Sequence, residues 1–120
     1  MPNFITKSLH AYLDYPVALG LIVMPFLLGL GQSHPLAFGL SLLTGIAALV
    51  MTVFTDHRLG VFRVLPYRLH LAVDFAVGAA FVIAPIALGF QGIDAAYYFV
   101  IGATVLAVVS LHKSEDTVAA

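Results

Sequence analysis

The sequence predicts an all-α protein, a four-helix transmembrane bundle made of two parallel-related two-helix repeats. Three observations carry this expectation: the composition, a series of long apolar stretches joined by short polar ones, and a self-match at a shift of 60 residues. Hydrophobic residues make up 62% of the 120-residue chain and charged residues 9%, with a mean hydropathy of +1.06. A soluble domain carries about 25% charge. With so little, its surface in water would consist of large apolar patches, which soluble monomers avoid. The lipid bilayer is therefore the expected partner. Five Lys and Arg against six Asp and Glu, a net charge of −1, leave no basic surface for nucleic acid. The absence of cysteine excludes thiol chemistry, disulfides and cysteine–zinc sites.

A transmembrane helix needs about 20 mostly apolar residues. The first qualifying stretch runs from about Tyr12 to Leu30 and the second from about Leu36 to Phe54. The third extends from about Leu71 to Phe90 and the fourth from about Ala95 to Leu111. Gly31-Gln32-Ser33-His34-Pro35 separates the first pair and Gln91-Gly92-Ile93-Asp94 the second. Links this short join antiparallel neighbours, so each pair is a helical hairpin. A longer, more polar link from Thr55 to Leu69 joins the hairpins. The length of the first stretch, its Pro25 and the lack of a small-x-small cleavage site set it apart from a secretory signal.

Basic residues set orientation. Lys7 precedes the first span, Arg58, Arg63 and Arg68 lie in the central link, and Lys113 follows the fourth span, while the short turns have none. Both termini and the central link are therefore expected in the cytoplasm of a bacterial inner membrane, with the two turns outside.

The self-match places LHAYLDYPVALGLIVMPFLLGL, from Leu9, over LHLAVDFAVGAAFVIAPIALGF, from Leu69. Identities fall at Leu9/Leu69, His10/His70, Asp14/Asp74, Val17/Val77, Pro25/Pro85, Leu28/Leu88 and Gly29/Gly89. The second halves agree chiefly at Thr44/Thr104 and Ala47/Ala107. One membrane domain, 1–120, thus divides into a first repeat of about 1–56 and a second of about 61–116. An even number of helices per repeat makes the repeats parallel, related by a pseudo-two-fold axis along the membrane normal.

The order Asp, then Gly or Ala, then Pro followed by Leu-Gly resembles the SPW-repeat family of small bacterial and archaeal membrane proteins. That family carries Ser-Pro-Trp in the first helix of each two-helix repeat. The matching triplets are Met24-Pro25-Phe26 and Ala84-Pro85-Ile86, which keep the proline, trailed by Leu28-Gly29-Leu30 and Leu88-Gly89-Phe90. The resemblance implies a fold and brings no assigned activity.

His10-x-x-x-Asp14 and His70-x-x-x-Asp74 are the sharpest chemical signals. A spacing of four puts both side chains on one helix face, and ionisable groups in membrane helices turn away from lipid. Symmetry then gathers two His and two Asp at the cytoplasmic mouth, between the first and third helices. Several readings compete. Each Asp can sit in a first helical turn, favoured by the macrodipole, with each His capping or snorkelling at the interface. The cluster can instead hold Zn, Fe or Mn through imidazole and carboxylate. It can relay protons or ions, or His10 and His70 can hold a haem. His57 and His112, on the same side, would extend the cluster unless they are simply solvated; His34 reads as a turn residue beside an N-cap.

Pro25 and Pro85 fall past the middle of their helices and are expected to kink them. Ala37, Ser41 and Gly45 on the second span, and Ala76, Ala80 and Ala84 on the third, form small-residue stripes suited to close helix packing, one of them available to a homo-oligomer. The segment GVFRVLPYRLH, with Pro66 near the first turn of the third helix, reads as interfacial. No Lys lies within a span, which excludes a retinal-type Schiff base, and no catalytic motif assigns a reaction. On sequence alone the chain reads as a structural or interaction scaffold; the alternative is a metal- or haem-binding, or ion- or proton-coupled transport protein using the duplicated pairs.

Overall fold

The chain starts its first helix at Thr6, whose Oγ1 accepts a hydrogen bond from the Leu9 amide at 3.0 Å. A computed structural model describes residues 5–55 and 60–111, and within them four helices follow: α1 (Lys7–Leu27), α2 (Pro35–Phe54), α3 (Tyr67–Leu88) and α4 (Gly92–Ser110). All four are long and apolar enough to cross a membrane, and the chain is an integral membrane protein. His34 is itself the N-cap of α2: its Nδ1 accepts from the Leu36 amide at 3.1 Å, and Pro35 occupies the first helical position, where a missing N–H costs nothing.

Helices α1 and α3 begin at Lys7 and Tyr67, earlier than the apolar runs suggest. In lipid every backbone polar group needs an internal partner, so the helix continues through polar His10, Asp14, His70 and Asp74 instead of starting after them. Both helices also end alike. Pro25 O accepts from the Leu30 amide and Pro85 O from the Phe90 amide, each at 3.0 Å, while Gly29 and Gly89 take the left-handed conformation (φ 61° and 72°) that favours glycine. Pro25 and Pro85 therefore sit in the last turn of their helices. They stand past the middle, as expected, and take part in helix termination.

Helix α1 packs on α2 and α3 on α4, while the two hairpins meet each other sparsely. Within each hairpin the close approach needs glycine. A Cβ at Gly45 would lie 2.8 Å from Leu21 Cβ and 2.9 Å from Ile22 N; one at Gly102 would lie 2.8 Å from Gly78 O and 2.9 Å from Val82 N. The stripe Ala37, Ser41, Gly45 is buried, as its spacing predicts. The α3 stripe is not used inside the bundle: Ala76 and Ala80 are exposed, and Gly78, Phe81 and Pro85 are buried instead. Glycine lets backbones approach more closely than alanine, so the face carrying Gly78 takes the contact.

The hairpins are tied together at the turn end. Tyr98 stacks on Phe81 with ring centroids 4.4 Å apart, and its hydroxyl donates to Ala37 O at 2.8 Å. Ser41 donates to Leu21 O at 2.9 Å, so the 2.7 Å contact with the Tyr97 hydroxyl is one in which Tyr97 donates. Asp94, fully buried in the first turn of α4, reaches across to the α1–α2 turn. It accepts from the Gly31 amide at 2.9 Å, the Ser33 amide at 3.0 Å and the Ser33 hydroxyl at 2.6 Å. Ser33 Oγ in turn accepts from the Gln91 amide at 3.0 Å. At the other end the central link folds back on α2, with the Val64 and Leu65 amides both donating to Phe54 O at 2.8 Å.

Two expectations follow from this packing. Gly45→Ala and Gly102→Ala should each destabilise the fold by about 1–3 kcal/mol through overpacking, whereas Gly20→Ala, which meets nothing within 4 Å, should not; unfolding by SDS in mixed micelles measures the difference. Asp94→Asn keeps the shape but removes charge from several hydrogen bonds, each worth about 1.5–3 kcal/mol. Its expected effect in the same assay is a loss of stability in that range, with helicity unchanged in the native state.

Candidate metal centre

Four ionisable side chains meet between α1 and α3. On α1 the spacing of four stacks His10 and Asp14 on one face, a turn apart, and α3 does the same with His70 and Asp74. These residues cap nothing: Thr6 caps α1, Pro66 precedes α3, and neither helix has an acidic residue in its first turn. The capping arrangement considered from sequence is therefore not the one adopted. By helical rise, the aspartates lie about 10 Å along their helices, within the apolar span.

Each imidazole turns its Nε2 to both carboxylates. His10 Nε2 lies 3.0 Å from Asp14 Oδ1 and 2.9 Å from Asp74 Oδ2. His70 Nε2 lies 3.1 Å from Asp14 Oδ2 and 3.2 Å from Asp74 Oδ2. The ring planes are nearly perpendicular, at 86°, with centroids 5.6 Å apart. One ligand atom from each of the four residues fits in a group no more than 4.8 Å across. Both histidines are 1% exposed, the aspartates 11% and 18%.

Residues that the spacing did not single out hold this arrangement. Thr55, at the end of α2, donates its only hydroxyl proton to Met51 O at 2.6 Å. Its contact of 2.7 Å with His70 Nδ1 is therefore one in which the ring donates and Thr55 accepts. With the proton on Nδ1, the neutral ring presents a lone pair at Nε2, facing two carboxylate oxygens. That geometry needs a positive charge, either a second proton on the ring or a cation between the groups. A histidine whose far nitrogen donates to an oxygen is the usual outer support of a metal ligand. Tyr67, buried, stacks on His70 with centroids 6.3 Å apart and presents an edge contact to His10 at 5.9 Å. Tyr67 stands three residues before His70, a helical spacing legible in sequence; Thr55 belongs to another helix and no spacing announces it.

The donor set fits a divalent ion. Zn–N and Zn–O bonds of about 2.0–2.1 Å in a tetrahedron imply ligand-to-ligand edges of roughly 3.3 Å, near the 2.9–3.2 Å separations found. The charges also balance, two carboxylates against one divalent ion with neutral imidazoles. A haem does not fit. Asp74 Oδ2 stands within 2.9 and 3.2 Å of the two Nε2 atoms, in the space a porphyrin between them would need. His57 and His112, the expected extensions of the cluster, lie outside the described residues.

Beneath the cluster the sparse contact between hairpins leaves a cavity of about 380 Å³, with His10, Asp14, His70 and Asp74 at one end and mostly aliphatic walls from all four helices. No protein-family model matches the chain, and neither the curated proteins nor the solved structures contain a significant match to it.

Proposed function

We propose that this is a membrane-embedded metal-binding protein in which His10, Asp14, His70 and Asp74 hold one divalent ion of the first transition series. The single observation that carries the proposal is the orientation of His70. Thr55 accepts a hydrogen bond from Nδ1–H, while Nε2 faces two carboxylate oxygens at 3.1 and 3.2 Å. One ion at their centre would use both nitrogens and both carboxylates together, where protons alone would have to be shared between two acceptors each. Imidazole with carboxylate suits Zn(II), Fe(II) or Mn(II). Bound there, the ion supplies Lewis acidity inside the membrane, while the protein's residues supply its charge balance and exclude water from the histidine side. A scaffold role, favoured from sequence because the resemblance brings no activity, leaves this convergence without a purpose. The SPW-repeat resemblance supports the two-hairpin architecture and adds no chemistry.

In this reading the metal lies toward the cytoplasmic face of a bacterial inner membrane, with both termini cytoplasmic, because all five basic residues fall at that end. Gln32→Cys and Gln91→Cys should react with an impermeant maleimide added outside spheroplasts, and Arg63→Cys only after lysis. Outside labelling of position 63 would reverse the orientation.

Detergent-purified protein, stripped with a chelator and dialysed against each metal, should retain one ion per chain by elemental analysis. The His10→Gln/His70→Gln double variant should retain none. Thr55→Val, which removes only the outer support, should weaken binding about 10- to 100-fold. Absence of a stoichiometric ion in the wild type, or unchanged binding in the double variant, would falsify the proposal.

A further inference from the structure

Among the described residues, the His/Asp cluster opens toward the interior of the bundle. Toward the termini, Tyr67 and Thr55 pack against the histidines and are themselves buried, at 6% and 0% exposure, and both histidines are 1% exposed. The exposure that remains belongs to Asp14 and Asp74, which line the cavity. The cavity runs away from the cluster along α2 to Leu43, eleven residues before the end of that helix at Phe54. At 1.5 Å per residue this is about 16 Å, near the middle of a hydrocarbon core about 30 Å thick. Its wall there is incomplete: Leu43, 64% exposed, Ala47 and Thr104 each line the cavity and also reach the outer surface. Among the described residues, the route to the centre therefore leads from the bilayer.

We infer, resting on the metal-centre reading, that the cavity receives a neutral lipophilic molecule from the membrane and brings its carbonyl or hydroxyl oxygen to the metal centre. The walls dictate an apolar body. Val17, Val73, Val77 and Val108 are aliphatic, and Thr52 and Thr104 spend their hydroxyl protons on Ala48 O and Val100 O. Charge dictates the head. Two carboxylates and one divalent ion already sum to zero, so an anionic head would bring an unbalanced charge to membrane depth, which is costly. A neutral oxygen adds a ligand and no charge. The volume sets the size. A dry cavity of about 150 Å³ accepts benzene, so about 380 Å³ holds a bicyclic ring or a chain of about ten carbons.

The test uses a decanol carrying a diazirine, photolysed with the full-length protein in lipid nanodiscs, with the labelled residues mapped by mass spectrometry. Metal-loaded and chelator-stripped samples run in parallel, with the metal content of each measured. The expected labels are on cavity residues such as Leu43, Ala47 and Val108, suppressed by excess 1-decanol and not by decanoate. Filling the cavity from either wall, by Ala47→Phe on α2 or Val108→Phe on α4, should cut this labelling at least tenfold while metal stoichiometry stays at one. Two variants on different helices guard against a misfolded one, and circular dichroism and a monodisperse elution profile check each. Labelling confined to outer residues such as Ile83 and Ile86 overturns the cavity ligand even if the metal is bound. Equal competition by decanoate overturns the neutral head. Cavity labelling that survives in a protein binding no metal upholds the cavity ligand and overturns only the metal centre beneath it.

Discussion

The structure depends on polar groups of one hairpin finding their partners on the other. Inside a bilayer no water is at hand, and a buried polar group left without a partner costs several kcal/mol. Here the strongest of these groups are shared between hairpins. The carboxylate of Asp94 on α4 is satisfied by the α1–α2 turn. The Tyr98 hydroxyl is satisfied by Ala37 of α2. His10 on α1 meets Asp74 on α3, and His70 meets Asp14. Separating the hairpins would leave each of these with part of its partners gone. Association of the halves is thus specified by chemistry, since apolar surface alone gains little by leaving lipid.

Packing within each hairpin follows a different rule. The α1–α2 and α3–α4 contacts rely on Gly45 and Gly102, where the backbones approach too closely for any Cβ. Dispersion between close helices serves there, and few polar groups are needed. Between hairpins the contacts concentrate at the two ends: aromatic rings and the Asp94 clamp at the turns, the His/Asp cluster near the termini. The middle is left open. A bundle held at its ends by polar contacts and sparsely packed between them has a cavity as the direct consequence of how it is joined.

The placement of charge joins this architecture to function. Ionisable side chains within membrane spans are expensive and mark functional positions by default. The cluster meets that cost with complementary groups, two carboxylates facing two imidazoles whose Nε2 atoms stand 2.9–3.2 Å from the carboxylate oxygens. Asp94 meets the same cost differently, by accepting from the Gly31 and Ser33 amides and the Ser33 hydroxyl. Carboxylates therefore serve at both ends of the molecule, Asp94 among amide and hydroxyl donors at the turns and Asp14 and Asp74 among imidazoles near the termini.

Much of this was legible in the chain. Apolar run length and composition determine the four spans, and the short turns determine the hairpins, because each depends only on neighbours in sequence. The spacing of four in His10–Asp14 and His70–Asp74 determines a shared helix face, and Tyr67 falls on that face for the same reason. The buried stripe Ala37, Ser41, Gly45 is likewise a matter of period. Tertiary structure decided the rest. Whether Asp14 starts a helix or lies inside one depends on what faces it across the bundle, and His70 and Asp74 face it. That Pro25 and Pro85 end their helices depends on the amides of Leu30 and Phe90 folding back on their carbonyls. Gly78 displaced the alanine stripe of α3 because the contact with α4 went to the closest approach available. Thr55 reached His70, and Asp94 reached Ser33, from elements that periodicity cannot pair. Local periodicity fixes which way a side chain points along its own helix; only the docking of one hairpin on the other supplies what it points at.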